Sequence, residues 1–239
     1  SDCDDNNASV HPNAEEVCDH IDNNCDGFDV DAPIQQALQL QGMPDYVEIM
    51  GSNVDQLNME VQSFTLEAWI KTETSEHGVI FSKYDPFNGN GYYLDILEER
   101  LYVGLELNPL FGDFFETCYG QTNLADNRWH HVAVSVRLGT KIILVVDGVL
   151  DQECPFSASS AIGLFNNEQP GYIGAYFSGQ DMADHFDGLI DDVKLWSESA
   201  SEQIIANNRC STNQQSNPNL VGFWNFESDS NDLSVNESH

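Results

Sequence analysis

Oxygen-bearing side chains recur at short intervals in the stretch CDHIDNNCDGFDVD, residues 18–31. Within it, the hexapeptide DNNCDG at residues 22–27 fits D-x-[DN]-x-[DN]-G, the first half of an EF-hand-type calcium loop. In such a loop the oxygens at positions 1, 3 and 5 converge on one ion, and the glycine at position 6 permits a sharp turn. Position 12, a bidentate glutamate in a complete EF-hand, is Pro33 here. A complete EF-hand is therefore excluded, and a calcium loop of another kind is expected.

A second ladder of oxygen donors, DCDDN at residues 2–6, precedes the first, with Glu15 and Glu16 behind it. The alternative interpretation is an acidic linker with solvated carboxylates. A linker, however, needs neither cysteines at three positions nor a glycine after the third oxygen donor. Clustered carboxylates repel one another, and a divalent ion converts that repulsion into coordination. We therefore expect at least one calcium ion in residues 1–31, with these ligands: Asp2, Asp4, Asn6, Asp19, Asp22, Asn24 and Asp26.

The whole segment DCDDNNASVHPNAEEVCDHIDNNCDG resembles the metal-binding repeat of secreted bacterial surface proteins of the MopE type. The residues that match the repeat are Pro12, Ala14, Glu16, Cys18, Asp22, Asn23, Cys25, Asp26 and Gly27. The sequence departs from the repeat at His20, where glycine is usual, and at Asn24, where aspartate is common. The resemblance implies a metal-binding segment over residues 1–32 of an extracellular protein.

The charge balance restricts the partners of the chain. Forty Asp and Glu residues stand against eight Lys and Arg residues, a formal net charge of -32. Such a surface repels phosphate backbones and anionic lipid, so nucleic acid and membrane surfaces are disfavoured as partners. No apolar run approaches the roughly 18 residues that a membrane span needs. The chain opens inside a motif, without an initiator methionine or a signal segment, so we expect it to be part of a larger multi-domain protein.

The six cysteines occupy positions 3, 18, 25, 118, 154 and 210 and include no CxxC pair or zinc-type grouping. Disulfides formed in an oxidising compartment are the simpler interpretation, which predicts a secreted or cell-surface protein. We expect Cys118 to pair with Cys154, because both flank the same group of strands and neighbouring strands lie about 4.8 Å apart. Two of Cys3, Cys18 and Cys25 can then pair locally, which leaves the third for Cys210. The competing interpretation leaves that third cysteine and Cys210 as free thiols.

From Pro33 onward the hydrophobic pattern has a period of two, which is typical of β-strands. The stretch SFTLEAWIK, residues 63–71, places Phe64, Leu66, Ala68 and Ile70 on one face, and WHHVAVSVRL at residues 129–138 alternates in the same way. Turn signals such as Asp147-Gly148 separate about a dozen such strands. Only SESASEQIIANNR, residues 197–209, reads as a helix. Short strands over about 200 residues predict an all-β, two-sheet antiparallel sandwich or jelly roll.

The order of these segments resembles the laminin-G-like, concanavalin A-like jelly roll, which is related to the pentraxins. Its most characteristic pieces are WHHVAV at residues 129–134 and FDGLIDDVKLW at residues 186–196. The resemblance implies a jelly roll over residues 33–228, preceded by the metal-binding segment and followed by a polar tail at residues 229–239.

Residues that could carry out catalysis have a structural interpretation as well. His130 and His131 follow a tryptophan in an alternating strand, where the resemblance implies structural roles. Asp191 and Asp192 are adjacent in a strand and are expected on opposite faces, so they cannot flank one glycosidic bond. Glucanases of the concanavalin A-like group carry E-x-D-x-x-E, but YYLDILEE has Tyr93 at the first glutamate position. We therefore expect no enzymatic activity.

The resemblance also implies a second calcium site, because many jelly rolls of this group hold calcium at the sandwich edge. Asp191 is the expected side-chain ligand, together with carbonyl oxygens from the turn around Gly42 and Asp45. The alternative is that Asp191 only caps a turn or accepts backbone hydrogen bonds.

Three loops at residues 84–93, 108–116 and 175–186 combine aromatic residues with Gly, Asn and Asp. Sugars bind proteins by stacking on aromatic rings, while Asp and Asn side chains bind their hydroxyl groups. The same composition occurs in loops that merely cover a core. The candidate ligand-binding residues are Tyr84, Phe87, Asn88, Tyr92, Phe111, Tyr176, Asp181, Asp184 and His185.

These features together favour a non-catalytic, calcium-dependent recognition or adhesion module of a large secreted or surface protein. Its expected partner is a carbohydrate or a protein on a cell surface. The alternatives are a calcium-stiffened structural spacer of an adhesin and a polysaccharide-degrading enzyme.

Overall fold

A computed structural model describes residues 4, 7–12, 14, 21, 23–25, 36–50, 53–59, 62–107, 114–156, 166–209, 211 and 216–227. Contacts divide the chain into two compact units, Ser1–Gln35 and Gln36–His239. In the first unit, Asp4 O accepts a hydrogen bond from Asn7 N, and Asn23 O accepts one from His11 N.

The described part of the second unit consists of antiparallel strands with two short helices. The strands are β1 (Leu38–Gln41), β2 (Val47–Ile49), β3 (Phe64–Thr72), β4 (His77–Asp85), β5 (Asn90–Leu97), β6 (Arg100–Leu107), β7 (Phe114–Tyr119), β8 (Trp129–Arg137), β9 (Lys141–Val146), β10 (Val149–Pro155), β11 (Gly171–Ile173), β12 (Tyr176–Phe177), β13 (Met182–Ala183), β14 (Asp187–Trp196) and β15 (Leu220–Trp224). The helices are α1 (Asn53–Gln56) and α2 (Glu202–Asn208). The helix predicted near residues 197–209 is confirmed as α2.

Two sheets form a sandwich, which confirms the predicted all-β fold. One has seven strands in the order β1-β14-β3-β8-β9-β10, with β15 also paired to β14. The other has six strands in the order β2-β11-β4-β5-β6-β7, and β12 and β13 form a separate pair. The side chains predicted to share one face of β3, from Phe64 to Ile70, lie in the core together with Val132 and Val134 of β8.

The opposite face of β3 is also covered. The Trp69 indole Nε1 donates a hydrogen bond to Arg209 O at 3.0 Å, and the Trp196 Nε1 donates to Glu67 Oε1 at 3.0 Å. Ile205 of α2 packs against a small apolar cluster on β8 and β9. Because the segment around α2 lies on this sheet, polar residues such as Glu67 are buried there.

The disulfide between Cys118 and Cys154 is confirmed, but the predicted reason for it is wrong. Cys118 lies on β7 and Cys154 on β10, which are edge strands of different sheets. Their Cα atoms are 5.7 Å apart. The bond therefore joins the two layers at one edge of the sandwich, whereas the sequence suggested neighbouring strands of one group.

The remaining cysteines are only partly described. Cys25 is disulfide-bonded, and within the described part of the chain no cysteine is free. Cys3, Cys18 and Cys210 lie outside the described residues, so the predicted link to Cys210 stays a prediction.

Candidate ligand-binding site

The two adjacent histidines of β8 are engaged in contacts with other side chains of the fold. His130 Nδ1 lies 2.8 Å from Asp147 Oδ2, and its Nε2 lies 3.2 Å from Asp126 Oδ1. His131 is buried at the edge of the Trp69 ring, with ring centroids 5.4 Å apart, and burial lowers its pKa well below the ordinary value. Both side chains thus hold strands and turns together.

The expected strict alternation at Asp191 and Asp192 is wrong. A β-bulge interrupts the β14–β3 register between Asp191 and Lys194, and Asp192 adopts a left-handed φ of 46°. Asp191 Oδ1 accepts a hydrogen bond from Asp192 N at 2.8 Å. Burial, together with the charge of Asp192, raises the pKa of Asp191 to about 8. The two buried carboxyl groups therefore belong to a local bulge of β14.

The structure does not bring Asp191 to the turn at Gly42 and Asp45. In the β1–β14 register Gln41 lies opposite Asp187, whereas Asp191 pairs with Trp69 of β3. The carbonyl oxygen of Gly42 accepts a hydrogen bond from Asp45 N. The sandwich-edge calcium site expected from these residues is thus not assembled, because four strand positions separate Asp191 from the one beside the turn.

The N-terminal metal ligands are described only in part. Asp4 and Asn24 are among the described residues, whereas the following predicted ligands lie outside them: Asp2, Asn6, Asp19, Asp22 and Asp26. In the part of the chain that the structure describes, no group of three or more His, Cys, Asp or Glu side chains could hold a metal ion. The N-terminal calcium site stays a prediction.

A cavity of about 240 Å³ lies on the face of the six-stranded sheet that points away from the core. The alternation of β5 creates it, because Leu94 and Ile96 enter the core while Tyr93 and Asp95 point to the other face. Its lining consists of His77, Val79, Tyr84, Tyr93, Asp95, Leu97, Tyr102, Tyr176 and Asp184. We call this cavity the tyrosine pocket.

Gly104 of β6 makes room for the Tyr93 ring. The two residues are cross-strand partners. A Cβ atom on Gly104 would lie 2.2 Å from Tyr93 Cζ and 2.4 Å from its hydroxyl oxygen. The ring of Tyr93 therefore lies over the bare backbone of Gly104, which fixes its position in the pocket wall.

An imidazole bridges two carboxylates at one end of the tyrosine pocket. His77 Nε2 lies 2.5 Å from Asp95 Oδ2, and His77 Nδ1 lies 3.0 Å from Asp184 Oδ2. The hydrogen bond to Asp95 raises the pKa of His77, although burial acts in the opposite direction. Burial raises the pKa of Asp95 to about 6, although its hydrogen bond with His77 opposes the shift.

One carboxylate oxygen of Asp95 is buried and unsatisfied. Its side chain is 0% exposed, and Oδ1 has no hydrogen-bond partner among the described residues. Buried acceptors are normally satisfied, so this oxygen in the pocket wall is a candidate acceptor for a ligand.

The tyrosine rings form the walls. The centroids of Tyr93 and Tyr176 are 6.5 Å apart in a stacked arrangement, and Tyr84 meets both rings edge-on. Tyr84 donates a hydrogen bond to Glu106, and the hydroxyls of Tyr93 and Tyr102 are hydrogen-bonded to each other. Burial raises the pKa of these phenols well above the ordinary value, so the hydroxyls remain protonated donors.

Sequence reasoning identified three of the lining residues as ligand contacts, Tyr84, Tyr176 and Asp184. It missed His77, Asp95 and Tyr102, and Tyr93 entered only as the last residue of the candidate loop 84–93 and as the substitute for a catalytic glutamate. The signal that could have found them is the alternation of β5, in which Tyr93 and Asp95 share the face opposite to that of Leu94.

The assignment of Tyr92 as a ligand contact is wrong. Its ring lies in the core, 4.8 Å from that of Phe64, and its hydroxyl donates to Leu57 O. His185 lies outside the pocket lining and hydrogen-bonds Asp45 O at 3.1 Å. Phe111 lies outside the described residues.

The remaining candidates lie in turns. Phe87 is 67% exposed and its ring centroid is 6.0 Å from that of Phe177. The Asn88 amide donates to Asp85 Oδ2 at 2.7 Å, and Asp181 O accepts a hydrogen bond from the Ser178 hydroxyl. None of these three predicted contacts belongs to the lining of the tyrosine pocket.

Sequence comparison matches this sandwich to a known group. The profile of the concanavalin A-like lectin/glucanases superfamily, in its laminin G form, matches residues 42–206. The chain belongs to this superfamily. A profile of a MopE-type metal-binding motif matches residues 2–31. Both matches confirm the resemblances drawn from the sequence. A comparison with curated protein sequences gives no significant match.

Solved structures with the same fold share little sequence with this member of the superfamily. A carbohydrate-binding protein from Bacteroides ovatus is 18% identical, with a TM-score of 0.57 over 80% of this chain and 53% of that one. A heptameric SAP-like pentraxin from Limulus polyphemus is 15% identical, with a TM-score of 0.53 over 74% of this chain and 81% of that one. Botulinum neurotoxin type C is 14% identical, with a TM-score of 0.50 over 74% of this chain and 46% of that one. Its cell entry is described as dependent on interaction with two ganglioside molecules.

These comparisons establish the fold. The chain spans about half of the length of the Bacteroides protein. Among the described helices, none is long and apolar enough to cross a membrane.

Proposed function

We propose that this superfamily member is a non-catalytic carbohydrate-recognition module and that the tyrosine pocket binds the sugar. The observation that carries the proposal is the buried carboxylate of Asp95, which presents a hydrogen-bond acceptor without a partner among the described residues, between tyrosine faces. A sugar ring offers both complements, because its C–H face stacks on an aromatic ring and its hydroxyls donate hydrogen bonds. The Bacteroides protein and the toxin, described as a carbohydrate binder and as interacting with gangliosides, are consistent with this function.

The geometry of the pocket argues against glycoside hydrolysis. Hydrolysis by the usual mechanism needs two carboxyl groups on opposite sides of the scissile bond, one of them as nucleophile or base. Here Asp95 and Asp184 both contact the same imidazole, that of His77, and each gives it one oxygen. Tyr93 stands at the first glutamate position of the glucanase motif. The pair therefore holds His77 in place, and one oxygen of each carboxylate, Asp95 Oδ1 and Asp184 Oδ1, lies outside this contact.

We further propose that residues 1–31 bind calcium and that the module acts outside the cell as part of a larger protein. The matching motif is named for copper, but its donors here are mostly carboxylate and amide oxygens, which suit calcium better than copper. The disulfide between Cys118 and Cys154 supports an oxidising compartment.

A glycan array tests the sugar-binding proposal. The protein is probed in millimolar calcium and in chelator, and Tyr176→Ala is compared with Phe115→Ala. Both residues are aromatics of the sandwich, but only Tyr176 lines the pocket, whereas Phe115 is 54% exposed on β7. We expect the wild type and Phe115→Ala to bind the same glycans and Tyr176→Ala to lose them. Absence of binding to any glycan on the array, or binding that survives Tyr176→Ala, contradicts the proposal.

A further inference from the structure

We propose that the tyrosine pocket selects sugars that carry a free ammonium group over neutral and anionic sugars. This inference rests on the proposed function and names the ligand class. Three features of the pocket support it: the buried Asp95 Oδ1, which has no hydrogen-bond partner among the described residues, an excess of acidic side chains, and walls of tyrosine rings.

The acidic groups outnumber the basic ones around the cavity. Asp95 and Asp184 line it, and Glu106 accepts the Tyr84 hydroxyl at its edge. The imidazole of His77 is the single basic group among the lining residues, which include no Lys or Arg. A positively charged substituent on a sugar balances this excess, whereas a carboxylate or sulfate on the sugar would be repelled.

The free oxygen favours a donor that is also a cation. A charged N–H donor forms a shorter and stronger hydrogen bond with a carboxylate than a neutral hydroxyl does. The difference increases in a buried site, where solvent screens charges weakly. Asp95 Oδ1 is in such a site, since its side chain is 0% exposed.

The tyrosine rings of the pocket also favour a cationic ligand. A cation within about 6 Å of an aromatic centroid is attracted by the negative charge of the ring face. Tyr84, Tyr93 and Tyr176 surround the cavity with centroids 6.0–6.5 Å from one another. An ammonium group that reaches Asp95 therefore lies among these rings.

A divalent metal ion fits this position poorly. Calcium takes six to eight oxygen ligands. His77 already contacts Oδ2 of both Asp95 and Asp184, so only two of their four carboxylate oxygens remain, far fewer than calcium needs. The cation that complements the pocket is thus an organic ammonium group.

Three β-1,4-linked hexasaccharides that differ only at C2 provide the test: the hexamers of glucosamine, N-acetylglucosamine and glucose. Calorimetric titrations are run in chelator so that the N-terminal segment does not contribute. We expect the glucosamine hexamer to bind at least tenfold more tightly than either neutral hexamer. Asp95→Asn and Asp184→Asn should each reduce this preference, and the first should reduce it to less than threefold. Glu198→Gln removes one exposed charge that follows β14 of the seven-stranded sheet, and it should leave the preference for glucosamine unchanged.

The outcomes separate the two proposals. If all three hexamers bind equally and Tyr176→Ala abolishes this binding, the ammonium preference is overturned. The proposal that the pocket binds sugar then remains supported. A preference for glucosamine that persists in Asp95→Asn and Asp184→Asn reflects the net charge of the whole chain and also overturns the inference. If no hexamer binds and the glycan array is blank, both proposals fail.

Discussion

Cys118 and Cys154 link the edge strands of two different sheets, with their Cα atoms 5.7 Å apart. On the six-stranded sheet, β7 is hydrogen-bonded to β6, and β6 carries Tyr102 of the tyrosine pocket and Gly104, over which the Tyr93 ring lies. The disulfide therefore fixes the edge of the sheet that bears the pocket to the opposite layer.

Removal of this disulfide should destabilise the protein substantially. The two cysteines are 36 residues apart in the sequence. A loop of that length gives a chain-entropy contribution of about 3–4 kcal/mol. We expect Cys118→Ala/Cys154→Ala to lower the free energy of unfolding by that order, measured by urea denaturation. An unchanged midpoint would show that the sandwich edge is held by strand packing alone.

The fold was predictable because each core strand of the sandwich repeats a simple pattern. Phe64, Leu66 and Ala68 alternate without interruption, and their burial follows directly. The pattern became ambiguous where both faces of a strand carry aromatics, as at Tyr92 and Tyr93. One of these rings enters the core and the other lines the pocket, and residue type alone does not distinguish them.

The site was harder to predict because it depends on contacts between distant segments. His77, Asp95 and Asp184 belong to β4, β5 and the segment before β14, and only the folded register brings them together. The bulge at Asp192 is likewise invisible to a rule of strict alternation. A side chain such as Asp95, flanked by Leu94 and Ile96, looks like an ordinary polar position of an exposed strand.

The pH dependence of stability should differ between the wild type and Asp95→Asn. Burial raises the pKa of Asp95 to about 6, so between pH 4 and 6 the folded state holds a proton that the unfolded state releases. Stability due to this group is therefore lost as the pH rises. The raised pKa of His77 changes stability in the same direction. Its stabilising contribution is present at low pH and is lost as the pH rises through the pKa of the folded state.

Denaturation of both proteins at several pH values measures this difference. We expect the stability of the wild type relative to Asp95→Asn to fall by up to about 3 kcal/mol from pH 4 to 7. Other carboxylates are common to both proteins and cancel in the comparison. Parallel stability curves would mean that Asp95 titrates as an exposed carboxylate does.

The pKa of His130 should depend more on Asp147 than on Asp126. Burial lowers this pKa, but the hydrogen bond and charge of Asp147, followed by those of Asp126, outweigh burial and raise it. NMR titration of the imidazole should give a lower pKa in Asp147→Asn and a smaller decrease in Asp126→Asn. The reverse order of the two variants would contradict this assignment.

Calcium should bind to the N-terminal segment more strongly than copper. Its predicted ligands, among them Asp4, Asp22 and Asp26, are oxygen donors that suit a hard cation. Native mass spectrometry in millimolar calcium should show at least one bound ion, which Asp22→Asn/Asp26→Asn removes. Glu73→Gln/Glu198→Gln makes the same charge change at exposed positions of the second unit and should retain it. Copper binding that calcium does not displace would overturn the choice of metal.

Gly104→Ala should separate sugar binding from stability. The new Cβ would lie 2.2 Å from Tyr93 Cζ, at the far end of a side chain that can rotate away. The backbone of a strand tolerates alanine at least as well as glycine, and displacement of the Tyr93 ring should lower the free energy of unfolding by only about 1–3 kcal/mol. Rotation of Tyr93, however, removes one wall of the tyrosine pocket. Affinity for glycans identified on the array should therefore fall at least tenfold.

Two further variants show whether this loss passes through the Tyr93 ring. Gly78→Ala makes the same change in β4, where the nearest atoms would be at an ordinary 3.4 Å, and should bind like the wild type. In Tyr93→Ala there is no ring left to displace, so adding Gly104→Ala should cost little further affinity. Such non-additivity is the signature of two residues that act through one contact. Full additivity of the two losses would show that Gly104 affects binding by another route. The position of the Tyr93 ring would then not depend on the space above Gly104.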